Sequence, residues 1–163
     1  MRKNFKVNQR RSAENSYVTC GSRGDGVGGQ LLAVLSAMVF ARDMGMQYVH
    51  TPFRVLAHND NQDPDWERKW ESFLNLGDSE LKIEDLDQSA LEQVNIIRPR
   101  KFRKKANMLL NVVHCNPHTN AFPEHYQYIR PEIRRRYENG SRDQLINTSS
   151  PPRPQTGRSY PAG

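Results

Sequence analysis

Residues 17–53 read YVTCGSRGDGVGGQLLAVLSAMVFARDMGMQYVHTPF, and within them Gly24, Gly26 and Gly29 have GxGxxG spacing. Glycines at this spacing let a backbone approach a phosphate. A helix starting there points its first N–H groups at the anion, with the helix dipole behind them. A dinucleotide site needs one more residue, an acid at the end of the following strand to hold the ribose hydroxyls. Here that place reads His50-Thr51-Pro52-Phe53, with no acid, and no GK[ST] follows the glycines. Neither the dinucleotide fingerprint nor the P-loop is complete. With no ligand at all, Gly28 and Gly29 would serve a tight turn and close helix–strand packing.

A second group of chemically capable residues is His114, Cys115, His118 and His125. Zinc asks for two to four ligands at clean spacing, such as CxxC or a helical HxxxH. His114 and His118 are four apart, but Pro117 between them speaks against a helix, so no metal site is read and a surface loop is expected. The loop follows an apolar strand candidate, and ligands of α/β sheets bind at the carboxyl ends of strands. His50 has the same position on an earlier strand. His50, His114 and His118 are therefore candidates for a base that deprotonates an acceptor hydroxyl, a task that suits a near-neutral pKa. Asn116, in the same loop, is a candidate substrate contact.

The elements that must position these residues are legible in part. Ser16–Thr19 is a short β-type run, and QLLAVLSAMVFARDM, from residue 29 or 30 to 44, reads as a helix closed by Gly45. Apolar side chains surround its first three turns, so it should be buried between a sheet and a second layer. Residues 46–51 form a second strand stopped by Pro52, completing a β-loop-α-β unit. Asp63-Pro64 starts a second helix, with Asp63 as N-cap, and Gly77 ends it. Trp66, Trp70, Phe73 and Leu74 share one face of that helix; rings can stack on sugars, but such a stripe more commonly packs inward. LKIEDL and VNIIRP are weaker strands, and NMLLNVVHC is a buried parallel strand. RPEIRRRYEN is a short basic helix with Pro131 near its start.

The chain has 163 residues, 36% hydrophobic, and a net charge of +6. Three segments emerge: a disordered basic arm (1–15), an α/β domain (16–140) and a disordered Pro-rich tail (141–163). The charge alternates, with eleven acids against three bases over 59–95 and eleven bases against three acids over 96–142. That pattern predicts polarised faces, not a uniform nucleic-acid tail. Six of the eight residues 98–105 are basic. They offer the best case for nucleic acid, although an anionic polysaccharide or a peripheral membrane contact fits them equally. Two cysteines make no disulfide framework, the N-terminus has no apolar h-region, and residues 31–41 are too short to span a bilayer. A cytoplasmic location is expected, which leaves the two glycosylation sequons and the Arg-Gly-Asp tripeptide at 23–25 without meaning.

Gly26-Val27-Gly28-Gly29-Gln30, followed by an apolar helix ending in ARDMG, resembles the start of the fucosyltransferase-like glycosyltransferases, which open with a strand, a G-L-G-N-Q-type loop and an apolar helix. YVHTPF with the later W..FLNLG resembles a bacterial branch tied to nodulation or surface polysaccharide synthesis. The resemblance covers roughly residues 16–138. It implies the N-terminal half of a GT-B fold, with a partial Rossmann-like parallel sheet. It also implies a sugar-nucleotide donor (GDP-fucose in the best-known members), a glycan acceptor, and no required cofactor or metal. Gly26, Gly28 and Gln30 match the loop, and Gly29 replaces its asparagine. In the family the donor is held mainly by the second domain, through an H-x-R-R-x-D-type stretch that this chain lacks; Arg134-Arg135-Arg136 has neither the His nor the Asp. The resemblance therefore implies an acceptor-side domain, truncated or frame-shifted around 141–150 and weakly active or inactive alone. The alternative is a small basic polyanion-binding module without catalysis.

Overall fold

The computed structural model describes residues 15–21, 23–98, 102–113, 116–121 and 123–140, with backbone alone at 116, 117 and 121. Its strands are β1 (Ser16–Thr19), β2 (Gln47–His50), β3 (Leu81–Lys82), β4 (Glu92–Ile96) and β5 (Met108–Val112). Its helices are α1 (Val27–Asp43), α2 (Trp66–Leu74), α3 (Asn116–Ala121) and α4 (Tyr126–Asn139). The strands form one sheet in the order β3-β2-β1-β5-β4, and every pairing is parallel. The α/β class and the parallel sheet are as expected. The arm and tail expected at either end fall on residues 1–14 and 141–163, outside the described residues. Asn15 still continues the ladder, accepting a hydrogen bond from Met108 N–H at 3.2 Å.

Helix α1 is the centre of the core. Ala33, Val34 and Ala37–Ala41 are buried, because the helix packs on β1 and β2 on one side and on α3 and α4 on the other. Gly45 has φ +60°, as a C′ residue should; Gly45 N–H donates to Arg42 O and Met46 N–H to Ala41 O, the paired bonds of a Schellman end.

Registry sorts the sheet into two unlike faces. Val18, Tyr48, Leu110 and Val112 point into the core beneath α1. Tyr17, Thr19, Gln93, Asn95, Leu109 and Asn111, paired with one another across β1, β5 and β4, point the other way. The chain leaves β3 at one edge and enters β4 at the other. In between lie only two 3₁₀ turns, Ile83–Asp85 and Gln88–Ala90. The expected LKIEDL strand shrinks to two residues because the Asp85 carboxylate accepts from Lys82 N–H and curls the chain.

Four further expectations are corrected. α2 begins at Trp66, not after Asp63, and ends at Asn75, whose φ of +50° is one an asparagine tolerates. Gly77 instead gives room to His50: a Cβ there would stand 2.6 Å from His50 Cδ2. The supposed loop at 114–126 contains α3 and a 3₁₀ turn, Pro123–His125. Pro117 is the second residue of α3, where no N–H is needed. α4 starts at Tyr126 and runs through Pro131, held to the core on both sides by Ile129 and Ile133. The acidic and basic stretches do not form separate faces. They meet in ion pairs, Lys105–Glu92, Arg135–Asp78 and Arg136–Glu80. Among the described residues, no helix is long and apolar enough to cross a membrane.

Candidate functional site

The glycine loop is closed by its own side chains. Arg23 donates to Asp25 Oδ2 at 2.7 Å, and that oxygen lies against the first turn of α1, where a Cβ on Gly29 would approach it to 2.5 Å. A carboxylate thus stands where a phosphate would, favoured by the same helix dipole. Its Oδ1 is buried with no partner among the described residues. Gln30 is also buried, and its Nε2 donates to the carbonyls of Arg23 (2.8 Å), Asp25 (2.9 Å) and Val55 (2.6 Å), tying the loop to the segment after β2. Gly26 makes room for His58, with a notional Cβ 3.1 Å from its Cδ2, while Gly28 faces open space. Of the candidate substrate contacts in this loop, then, Gln30 braces it, Gly29 accommodates Asp25, and Gly28 remains open. Beside them, burial pushes the Cys20 thiol up to about 11, so it stays protonated and is no nucleophile.

Of the candidate histidines, the two described, His50 and His118, belong to different clusters. His50 is 2% exposed; Nδ1 lies 3.2 Å from the Tyr48 hydroxyl and Nε2 3.0 Å from Glu71 Oε2. Glu71 also accepts from Phe53 N–H, and Glu67, one turn earlier, from Leu56 N–H. His50 therefore belongs to a brace between β2, its following loop and α2. His114 lies outside the described residues, and Asn116 is described only as the first backbone position of α3. His118 projects from α3 toward the last residue of α1: its Nε2 is 2.6 Å from Asp43 Oδ2, and His125 Nδ1 is 2.7 Å from the same oxygen. Burial raises the Asp43 pKa, but hydrogen bonds from His118 and then His125 outweigh it and hold the carboxyl below its usual range. Buried Ser36 docks α3 here, its hydroxyl 3.2 Å from Thr119 Oγ1 and 2.8 Å from the Tyr126 hydroxyl.

A polar recess on the sheet is one the sequence did not reveal. It measures about 160 Å³ and opens on the second face of the sheet, at the carboxyl ends of β1, β2, β4 and β5. Thr19 and Thr51 share a hydrogen bond at 2.6 Å on one wall. On the other, Asn111 Nδ2 donates to Asn95 Oδ1 at 2.9 Å, while Asn111 Oδ1 is buried and unpartnered among the described residues. Gly21 is what admits Asn111: a Cβ at 21 would lie 2.6 Å from Asn111 Oδ1. Exposed Arg54 stands at the mouth without an ion-pair partner among the described residues, and Ile83 and Gln88 complete the lining. Thr19, Asn95 and Asn111 stand near the carboxyl ends of their strands, the edge at which α/β sheets bind ligands. Hydroxyls, amides and one guanidinium, with no lining carboxylate, suit a ligand rich in hydroxyl groups. The available signal was Asn111, a polar residue inside the otherwise apolar MLLNVV.

Some of the basic residues are occupied. Lys104 Nζ donates to Gly45 O at the end of α1, Lys105 pairs with Glu92, and Arg136 is buried against Leu76 O, Glu80 and Glu132. The tryptophan stripe packs inward, as expected: Trp66, Trp70 and Leu74 lie on the core, and Trp66, Trp70, Phe73 and Tyr137 run edge to face. No protein-family model, no curated protein and no solved structure matches the chain.

Proposed function

We propose that the chain is a carbohydrate-binding, acceptor-side domain of a fucosyltransferase-like glycosyltransferase, with a glycan seated in the recess between Thr19, Thr51, Asn95 and Asn111. The polar recess near the carboxyl ends of β1, β4 and β5 carries this reading. The Asp25 carboxylate at the start of α1 supports the acceptor side in particular, because a donor's phosphates would have to displace it. The donor, GDP-fucose or a related sugar nucleotide, is then held mainly by groups other than the glycine loop. Arg54 at the mouth would orient sugar hydroxyls or an acidic substituent.

Amide chemical-shift mapping with a panel of neutral and acidic oligosaccharides, GDP, GDP-fucose and a duplex oligonucleotide tests this. A saccharide should perturb residues 19–21, 51–54, 93–95 and 109–111, and Asn111→Ala should weaken it about tenfold, one lost polar contact. GDP binding confined to residues 23–30 would overturn the acceptor-side assignment. Salt-sensitive oligonucleotide binding without any saccharide response would replace the whole reading with that of a polyanion-binding module.

A further inference from the structure

Asp43, His118 and His125 come from three separate elements, the last turn of α1, α3, and the 3₁₀ turn that leads into α4. Each offers one ligand atom, Oδ2, Nε2 and Nδ1 respectively, and all three lie within 4.8 Å of one another. Their side chains are 16, 20 and 26% exposed, sheltered yet reachable from solvent. Two imidazole nitrogens and a carboxylate oxygen suit zinc, which takes His and Asp at about 2.0–2.2 Å in tetrahedral geometry. Bonds of that length set neighbouring ligand atoms about 3.3 Å apart. The two short Asp43–histidine contacts, 2.6 and 2.7 Å, would open by roughly 0.6 Å to admit the ion, a small rotamer adjustment.

The surroundings fit as well. Phe40 packs edge-on against the His118 ring at 5.3 Å, fixing one face of it. His125 presents Nδ1 to Asp43, and its other nitrogen Nε2 lies 3.9 Å from Glu124 Oε1, close enough for a weak ion pair but not for a hydrogen bond.

We propose that Asp43, His118 and His125 form a zinc site, with a fourth position open to water, that staples α1 to α3 and to the start of α4. The site closes the amino-terminal end of the sheet. The polar recess lies at the carboxyl end, a helix length of about 25 Å away along α1. Saccharide binding in the recess therefore does not depend on the ion.

The test uses tag-free full-length protein stripped with a chelator, then titrated with zinc chloride against a chromophoric competitor. One equivalent should bind, and zinc at a hundredfold excess over Kd should raise Tm by about 5 °C or more. Cobalt(II) substitution should give the strong visible absorption of a four-coordinate site. Asp43→Asn, His118→Ala and His125→Ala should each weaken binding at least tenfold, with far-UV circular dichroism confirming that the variants fold. Asp43→Asn is the decisive variant, since it preserves shape while removing the charge. Any one of three results would overturn the proposal: no stoichiometric zinc, zinc binding indifferent to all three substitutions, or binding lost only in Cys115→Ser.

Discussion

At the residue scale, several side chains do something other than their type suggested. Gln30 was legible as part of a loop motif, and it is central to that loop, but through its amide hydrogens, which hold three carbonyls in place. Which carbonyls those would be could not be read, because Val55 is twenty-five residues away and arrives only when the chain after β2 folds back. Gln30→Leu keeps the volume and strips the donors from three acceptors, so it should cost about 3 kcal/mol, read as a lower urea midpoint at unchanged slope. Asp25 shows the limit of motif reading most clearly. GxGxxG spacing specifies an anion at a helix start and is silent on whether the anion is a ligand or the chain's own carboxylate. Gly21 and Asn111, which shape the recess, are ninety residues apart and carry no local signature as a pair.

At the scale of elements, the β1-α1-β2 unit was readable because local signals agreed: an all-round apolar helix, a Gly45 terminator, and short β-branched runs on either side. α3 and α4 were harder. Their ends depend on tertiary partners, namely Ser36 beneath Thr119 and Tyr126, and the core contacts of Ile129 and Ile133. Arg136 is the strongest of these anchors. Its side chain is 5% exposed, and its guanidinium is shared among Leu76 O, Glu80 and Glu132, so α4 is pinned to the segment after α2. Arg136→Met fills similar space but abandons a carbonyl and two carboxylates. It should cost about 3–5 kcal/mol in chemical denaturation, far more than Arg134→Met on the exposed side of the same helix.

At the scale of the whole molecule, the sequence revealed that oppositely charged stretches exist but not that they face one another. Pairing 59–95 with 96–142 depends on β4 returning to the far side of β5, a crossing with no helix and no strong local pattern. Ion pairs inside α4 and at the end of α1 make stability fall in acid. Hydrogen bonds from Arg135 and then Arg136 pull the Glu132 carboxyl down to about 2 from an ordinary 4.5, and Asp43 is lowered too. A depressed folded-state pKa contributes stability that is present above the unfolded value and lost as pH falls through the folded one. Urea midpoints should therefore hold near neutrality and decline from about pH 4.5 toward pH 2. Glu132→Gln should flatten that decline, and a slope unchanged by it would remove Glu132 from the account.

The enclosure of α1 also bears on how the molecule opens. Its start is blocked by Asp25 and Gln30, its end is folded back at Gly45 beneath Lys104, and sheet and helices cover its flanks, so no partial motion exposes its middle turns. Amide protons of residues 33–41 should exchange with deuterium only when the whole chain unfolds, and their rates should report its global stability. The 83–90 crossing has few buried apolar contacts. It should exchange orders of magnitude sooner, letting the recess on the second face breathe while α1 stays shut.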